Sequence, residues 1–498
     1  MKAAAPYSPQ AAAIVAAIAC AVSMLAGCAT PADPTPVIDA GVAPGWLAPR
    51  PDPATGPATE WPHGGSGEGL ARWWTQFDDP LLARLIDAAE AVSPSVASAG
   101  SRIAQARATR AAATAALLPS LDASVSAGRG RQDVSIPLGN TQRAGLQASW
   151  ELDVFGRNRA GRNAADARLF GAEASWHDAR VAVAAETAND YVSLRACEAR
   201  LAQARLDAGS RAETARLTEL SRQAGFESPA NAALTRASAA QALLGVKQQG
   251  EQCDISVKAL VALTAIAEPG LRALLGPAAG RLPVPAAIDV PGVPAAALAQ
   301  RPDVYARGRD VVAASAEISQ AEAARLPRIA IGGSVGYGRY ESALGTFSGS
   351  TWSLGPVSVS LPIFDAAARR ADVVAARARY DAAASTYAAT LRGAIREVEN
   401  ALITLQGTAD RSADAQTAAD DFALSTRATE ARYKSGFGTL FELEEARRSA
   451  LTAQNTLIDL RRERVAAWIA LYRALGGGWA GPDSARLAAT DARPPSRP

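Results

Sequence analysis

Four short segments of the chain alternate between apolar and polar residues, which is the pattern of a β-strand that buries one face. In residues 121–129 the apolar positions are Leu121, Ala123, Val125 and Ala127. Residues 143–153 alternate in the same way, and both segments have counterparts about 210 residues further along the chain. The pattern predicts strands at about 119–131, 142–153, 327–339 and 351–362. The polar, Gly-rich segments 130–142 and 339–351 are predicted to be loops.

Each predicted pair of strands is followed by a segment with the composition of a very long helix. From about Arg157 to Gln223 there is no Pro, and residues that favour helices dominate. Such a helix would be roughly 100 Å long. A tight turn at Gly225 and a returning helix at about 229–263 follow. The second copy predicts helices at about 366–434 and 439–475 around Gly436. Ala-rich helical hairpins of this length favour a curved wall of helices over a globular core.

The two copies are one structural unit that is duplicated within the chain. Pro94 and Pro119 in the first copy correspond to Pro302 and Pro327 in the second, at a nearly constant offset. We therefore predict a first repeat at 70–265 and a second at 301–475. The Pro-rich segment 266–300 links them, and 476–498 form a C-terminal tail.

The N-terminus has the features of an exported lipoprotein. A short basic start and an apolar run precede Leu25-Ala26-Gly27-Cys28, which resembles a bacterial lipobox. This predicts that residues 1–27 are a signal peptide and that Cys28 carries a covalent lipid; an ordinary signal peptide is the alternative. Ala29 after the cysteine favours the outer membrane. The Pro/Gly-rich residues 28–69 are predicted to be an extended, lipid-anchored arm.

The composition argues against enzymatic and nucleic-acid-binding functions. The net charge is +2, and the only two His residues, His63 and His177, are far apart in the sequence. We predict no catalytic residue, no metal site and no cofactor other than the lipid on Cys28. The closely spaced glycines of 332–338 lack the strand–turn–helix setting of a dinucleotide site and are interpreted as strand glycines.

No segment of the mature sequence approaches the ~20 apolar residues of a membrane helix, so membrane insertion would have to use strands. Each predicted strand is close to the ~9–11 residues that a tilted membrane strand needs. Four strands cannot close a barrel on their own, because the smallest membrane barrels have ~8. The sequence therefore predicts association through the strands, with 12 strands in a trimer. A soluble four-stranded sheet packed on helices is the alternative.

The spacing of two cysteines supports the first hairpin. Cys197 lies 28 residues before Gly225 and Cys253 lies 28 residues after it, so an antiparallel hairpin brings them to the same height. In an oxidising compartment a disulfide between them is expected. The alternative is a pair of unrelated small apolar residues.

Four motifs, in this order and at these spacings, resemble the TolC-like outer-membrane factors of tripartite export systems, and especially their lipoprotein branch, which serves multidrug efflux pumps. The motifs are Trp73–Leu82, Trp150–Gly156, Arg301–Val304 and Arg432–Thr439. The resemblance implies a mainly α fold with a membrane β-barrel. It further implies a homotrimer, with a 12-strand β-barrel in the outer membrane and a 12-helix α-barrel in the periplasm. A mixed belt around the helices would include the 266–300 linker.

In this family the turns between paired long helices form a periplasmic tip, which closes the resting channel and contacts an adaptor protein. The resemblance places this tip at Gln223–Pro229, which contains Gly225, and at Lys434–Thr439, which contains Gly436. The implied partners are a second and a third copy of the chain, outer-membrane lipid, a periplasmic adaptor and a proton-driven inner-membrane pump.

Relatives carry pore-facing aspartates just beyond the second turn, where this chain has Glu442 and Glu445; Asn231 is the counterpart in the first repeat. In a trimer each Glu would form a ring of three carboxylates, which favours cations. The alternative is that these acids lie at a solvated helix start, where they interact well with the helix dipole. Gly438 occurs where some relatives have an Arg, and Tyr433 matches a tyrosine of their hydrogen-bonded lock.

The sequence thus predicts a passive exit duct for small toxic compounds. A duct for protein secretion or for metal-ion efflux has the same fold and stays open as an alternative. A periplasmic coiled-coil adaptor is a further alternative, although such proteins usually have one helical hairpin and no flanking strand pairs.

Overall fold

The computed structural model of the protein describes residues 46–48, 73–131, 137–284, 298 and 301–479. The predicted signal peptide, Cys28, most of the 28–69 arm, residues 285–297 of the linker and the tail from 480 onward lie outside this range. The chain divides into two compact units. Among the described residues, the first comprises Ile103–Ala172 and Arg307–Tyr387, and the second contains the rest.

The first unit contains one antiparallel sheet of four strands in the order β1-β2-β3-β4. Leu146, for example, is paired with Ala123 on one side and with Val335 on the other. The strands are β1 Ser120–Gly130, β2 Gly139–Leu152, β3 Arg328–Ser342 and β4 Gly345–Ser360. Within the described chain, β1 and β4 each have a strand neighbour on one side only.

The loop predicted at 339–351 is wrong. Strand β3 continues to Ser342, β4 begins at Gly345, and Tyr340 is paired with Phe347 across this region. In the same way β2 begins at Gly139, earlier than predicted. Polar, Gly-rich sequence is typical of a loop, but backbone groups make the hydrogen bonds of a β-ladder whatever the side chains are.

Many of the large apolar side chains in and next to the sheet are exposed within one chain. They include Leu121, Val125, Trp352, Leu354, Val357 and Val359. Exposed large apolar side chains in such number are typical of an interaction surface.

Nine α-helices precede, separate and follow the strands. They are α1 Pro80–Val92, α2 Pro94–Ala115, α3 Arg157–Gln223, α4 Pro229–Thr264, α5 Glu268–Leu275, α6 Pro302–Ala323, α7 Ala368–Asp410, α8 Ser412–Lys434 and α9 Leu440–Ala474 in the part of the chain that is described. Among them no single helix is both long and apolar enough for a membrane span. Residues Pro229–Thr264 and Glu268–Ala278 meet this test only as a pair bent by 114°.

The single helix predicted at 366–434 is also wrong, because it is divided at Arg411 into α7 and α8. The Arg411 guanidinium donates a 2.9 Å hydrogen bond to the Gly407 carbonyl, while the backbone N–H of Arg411 lies 3.3 Å from the same oxygen. A side chain that competes for a carbonyl of the helical ladder is a known cause of helix breaks. At the other end, positive φ values at Ala366 and Ala367 delay the start of α7.

The largest core of the second unit is built around the first sequence motif. Trp73 is fully buried and stacks on Tyr472 of α9 at 5.1 Å between ring centroids. Asp79 caps α1 by accepting from the Leu81 N–H, and it also accepts from the buried Tyr191 hydroxyl of α3. Burial and this hydrogen bond raise the pKa of Tyr191 well above its ordinary value.

Two further connections tie helices of this unit together. Arg301 donates to Asp303, to Glu397 of α7 and to the Ala474 carbonyl at the end of α9. Cys197 and Cys253 are joined in a disulfide that connects α3 to α4, with their Cα atoms 5.6 Å apart.

Candidate functional site: the turns of the two helical hairpins

The two hairpin turns have the same backbone geometry. Gly225 and Gly436 have φ values of +81° and +79°, in the left-handed region that costs residues with a Cβ. After each glycine a Phe N–H reaches back across the turn, from Phe226 to the Ser221 carbonyl and from Phe437 to the Arg432 carbonyl, both at 2.9 Å. This is the glycine-terminated C-cap of a helix.

Each returning helix begins with a side-chain cap. Ser228 accepts from the Asn231 N–H at 3.1 Å at the start of α4. At the start of α9, Thr439 accepts from the Glu442 N–H at 3.2 Å, and the Glu442 carboxylate accepts from the Thr439 N–H at 3.0 Å. This reciprocal capping box fixes the direction in which the chain leaves the turn.

Asn231, Glu442 and Glu445, three of the polar residues that the family resemblance predicts at the tip, have local partners. Glu442 is held in the capping box, and Asn231 donates from its side chain to Glu227 at 2.8 Å. Glu445 pairs with Arg448 at 3.1 Å, and both side chains are more than half exposed. The interpretation of these acids as a helix start therefore has direct geometric support at Glu442.

Tyr433 connects the two hairpins, because its hydroxyl lies 3.3 Å from the Thr218 hydroxyl of α3. Next to it, Lys434 pairs with Glu430 of the same helix at 3.1 Å. A Cβ added to Gly438 would lie 3.1 Å from the Tyr433 backbone nitrogen. A larger residue at Gly438 would have to displace the backbone of the turn.

A network of charged side chains lies further from the turn and was not predicted. Its centre is Glu444 of α9, which accepts from Arg211 of α3, from Ser238 of α4 at 2.8 Å and from Arg447 at 3.2 Å. Arg211 also donates to Asp207 at 2.8 Å. One carboxylate therefore joins both helices of the first hairpin to the second hairpin.

Arg447 adds further connections between the hairpins. Its side chain is only 3% exposed, and it donates to the Ser210 and Thr214 hydroxyls of α3 at 2.8 and 2.9 Å. It also lies 3.6 Å from Glu430 of α8. A buried guanidinium needs such partners, because an unpaired buried charge is costly.

An open cavity of about 200 Å³ lies beside Arg447. Leu206, Leu451, Asp207 and Gln454 are among the residues that line it. The Arg447 Nε atom has no hydrogen-bond partner among the described residues. A partly polar gap therefore lies between the hairpins beside Arg447.

The outer surface of the turns combines exposed aromatic rings with charged side chains. Phe226, Phe437 and Phe441 are each at least three-quarters exposed. On α3, Glu219 accepts from Arg222 at 2.7 Å, which lowers the pKa of this carboxyl to about 2. The carboxylate therefore stays ionised at any physiological pH.

The described residues contain no group of three or more His, Cys, Asp or Glu side chains that could hold a metal ion. Cys28, the predicted lipid attachment site, lies outside the described residues.

Comparison with known proteins adds independent evidence. The family model described as "Outer membrane efflux protein" matches residues 85–265 and 293–477, one segment in each repeat. The outer membrane protein OprJ of Pseudomonas aeruginosa is 30% identical over 416 residues, which cover 82% of this chain and 86% of OprJ. The pyoverdine export outer membrane protein OpmQ of Pseudomonas putida is 28% identical, over 91% of this chain and 95% of its own length. The solvent efflux pump outer membrane protein SrpC of Pseudomonas putida is 28% identical, over 86% and 94%.

Solved structures agree in fold. A membrane protein from Pseudomonas aeruginosa superimposes with a TM-score of 0.76 at 29% identity, over 87% of this chain and 98% of the other. The open MtrE channel of Neisseria gonorrhoeae gives a TM-score of 0.75 at 24% identity, over 90% and 98%, and so shows the shared fold alone. Each repeat contains one helical hairpin and one strand pair, and the family model matches both repeats. The chain therefore belongs to the outer membrane efflux protein family, whose members are transport ducts without enzymatic activity.

Proposed function

We propose that this protein is the passive outer-membrane exit duct of a tripartite efflux system that expels small toxic compounds. The observation that carries the proposal is the family match in both repeats, together with relatives named for solvent efflux and for pyoverdine export. Members of the family work with periplasmic adaptors and inner-membrane pumps. The energy for transport would come from the pump, which we propose is proton-driven.

The test is a deletion strain complemented from a plasmid and challenged with organic solvents, dyes, detergents and metal salts. We expect the deletion to lower the tolerated concentration of solvents and dyes, and the plasmid to restore it. If the deletion strain lost tolerance to metal salts alone, the result would instead support metal-ion efflux. If tolerance were unchanged and a secreted protein disappeared from the medium, the result would support protein secretion.

We propose that the protein is a homotrimer whose strands close one barrel. The supporting observation is that β1 and β4 each have one strand neighbour in the described chain and carry exposed apolar side chains. Unpaired strand edges cannot face lipid, because their backbone groups would lose their hydrogen bonds. Pairing β4 of one copy with β1 of the next would give 12 strands and, from the long hairpins, a 12-helix barrel. Native mass spectrometry of the detergent-extracted protein would reveal a dimer or monomer if this were wrong.

We propose that a lipid on Cys28 provides an additional attachment to the outer membrane, beside the strands. The support is the Leu-Ala-Gly-Cys sequence and the Ala29 that follows it. Mass spectrometry of the mature N-terminal peptide should find the diacylglyceryl group on Cys28, and Cys28→Ala should abolish it. An unmodified peptide that begins elsewhere would refute lipidation without affecting the duct.

We propose that the hairpin turns form the periplasmic tip and that the Glu444 network holds them closed. The support is geometric, since Glu444 contacts α3, α4 and Arg447 together, and Tyr433 adds a contact nearer the turn. The Glu444 contacts with Arg211 and Ser238 and the Tyr433 contact with Thr218 join one hairpin to the other, so separating the hairpins would break them. The bond from Arg447 to Glu444 lies within α9. Glu445, whose partner is an exposed Arg448, is free of the network and is the position at which a ring of carboxylates would select cations.

We propose that the adaptor contacts the same tip, where Phe226, Phe437 and Phe441 are exposed. A photoreactive residue at Lys434 would capture the partner in living cells. Capture of an adaptor from a proton-driven pump supports the proposal, whereas an adaptor from an ATP-driven exporter would redirect it to protein secretion.

A further inference from the structure

A short piece of the N-terminal arm, residues Trp46–Ala48, lies against α7. The backbone N–H groups of Leu47 and Ala48 donate to the two carboxylate oxygens of Glu399, both at 2.7 Å. One carboxylate therefore binds two consecutive amides of a segment that is more than 350 residues away in sequence. Hydrogen bonds to an ionised acceptor are shorter and stronger than neutral ones.

The contact has an apolar side as well. Ala48 is 8% exposed and belongs to the same core cluster as Val398 and Leu402, the neighbours of Glu399 on α7. Trp46 packs against this cluster, whereas the Leu47 side chain is 93% exposed. The arm is thus held by its backbone and by the two residues that flank Leu47.

Glu399 is available for this contact because no Lys or Arg of the described chain pairs with it. Its neighbour Glu397, by contrast, is paired with Arg301. A half-buried carboxylate without a cationic partner needs hydrogen-bond donors, and the Leu47 and Ala48 amides supply them. The interaction is independent of the Leu47 side chain, since both donors are backbone groups.

We propose that Glu399 is a docking residue for the N-terminal arm, which it fastens to α7 at Leu47 and Ala48. One consequence rests on the lipidation of Cys28 proposed above. With the arm docked, 18 residues separate Cys28 from Trp46, which limits their distance to roughly 60 Å. With the arm released, the next core residue in the described part of the chain is Trp73, 45 residues from Cys28, and the limit rises to roughly 150 Å. The docking contact therefore shortens the lipid tether by more than half.

Hydrogen exchange of the full-length protein in detergent, read at single amides by fragmentation mass spectrometry, tests the docking directly. In the wild type the Leu47 and Ala48 amides should be protected. Glu399→Ala should accelerate their exchange by about tenfold or more, because both acceptors are lost. Glu399→Gln, which keeps one good acceptor and the side-chain shape, should have a smaller effect.

Asp410→Asn, at an exposed carboxylate of the same helix, is the matched control and should leave both amides protected. The amides of Val398 and Leu402 within α7 report whether each variant is folded. Wild-type amides at 47 and 48 that exchange as fast as an unstructured peptide would overturn the proposal. So would unchanged protection in a folded Glu399→Ala variant. Neither readout depends on transport or on the lipid, so docking can fail while the proposed function stands.

Discussion

The contact between the two hairpins leads to a quantitative prediction for Glu444→Ala. This substitution removes the carboxylate that Arg211 and Arg447 share, and the Glu444, Arg211 and Arg447 side chains are only 17%, 14% and 3% exposed. Removing one partner of a fully buried ion pair costs about 3–5 kcal/mol. We expect about 2–3 kcal/mol here, because Glu444 keeps some solvent contact and Arg447 keeps the Ser210 and Thr214 hydroxyls.

If the hairpins separate when the duct opens, the open state has already lost the contacts of Glu444 with Arg211 and Ser238, so the substitution mainly destabilises the closed state. A difference of about 2–3 kcal/mol then raises the open population roughly 30- to 150-fold, since about 1.4 kcal/mol corresponds to a factor of ten. Single-channel recording in planar bilayers would measure the open probability. A matched gain in sensitivity to a large antibiotic that enters through the open duct would confirm the effect in cells.

The adjacent acid supplies the control. Glu445→Ala removes an equal charge from the same helix, but its partner Arg448 is 71% exposed, and exposed pairs contribute only about 0–1 kcal/mol. We expect Glu445→Ala to change the open probability less than about fivefold and to reduce cation selectivity if Glu445 faces the pore. Equal open probabilities in the two variants would refute the assignment of the closing contact to Glu444.

Three further predictions concern stability. Replacing Cys197 and Cys253 by Ser removes the disulfide that closes a loop of 56 residues, which should lower the free energy of unfolding by up to about 4 kcal/mol. The variant should melt at a lower temperature than the oxidised wild type and at about the same temperature as the reduced wild type. An unchanged melting temperature would contradict this. Gly436→Ala should destabilise the second hairpin by about 1–2 kcal/mol, because the φ of Gly436 is +79°. Gly407 is a helical glycine with open space where a Cβ would lie, so Gly407→Ala should stabilise the protein by about 0.5–1 kcal/mol. Denaturant unfolding would measure both changes in the free energy of unfolding. Burial raises the pKa of Asp178 above its ordinary 3.8, so the folded protein binds this proton more tightly than the unfolded chain. Ionised Asp178 therefore lowers the free energy of unfolding at neutral pH, and this effect disappears below about pH 4, where Asp178 is protonated in both states. Asp178→Asn should accordingly melt at a higher temperature than the wild type at pH 7 but not at pH 3.5.

Features that depend on nearby residues could be predicted well from the sequence. The positions of Gly225 and Gly436 follow from the interruption of two long helical patterns, because only a few residues of local backbone decide a turn. The equal spacing of Cys197 and Cys253 from Gly225 placed them at one height, and the structure joins them. The Glu442 capping box could have been found as well, since Thr439 followed three residues later by Glu is its sequence signature.

Other features could not be predicted because residue type alone does not reveal which hydrogen bonds the backbone makes. The extensions of β3 and β4 depend on pairing between backbones, which side-chain polarity does not reveal. The break at Arg411 depends on a side chain that bonds to the carbonyl of Gly407. In both places the hydrogen bonds of the backbone, and not the local residue types, decide where the element begins and ends.

The sequence alone was enough to predict the duplicated unit, the strand pairs, the long hairpins and the family, because periodic patterns and short motifs indicate each of them. Only the tertiary structure decided which charges meet. Glu444 and Arg211 are 233 residues apart, and Glu399 and Ala48 are 351 apart. The chain has 51 Lys and Arg and 49 Asp and Glu residues, and no local pattern of residue types shows which of them form a buried network. Which charged side chains become buried depends on how neighbouring helices are rotated about their axes, and packing across the whole unit sets that rotation.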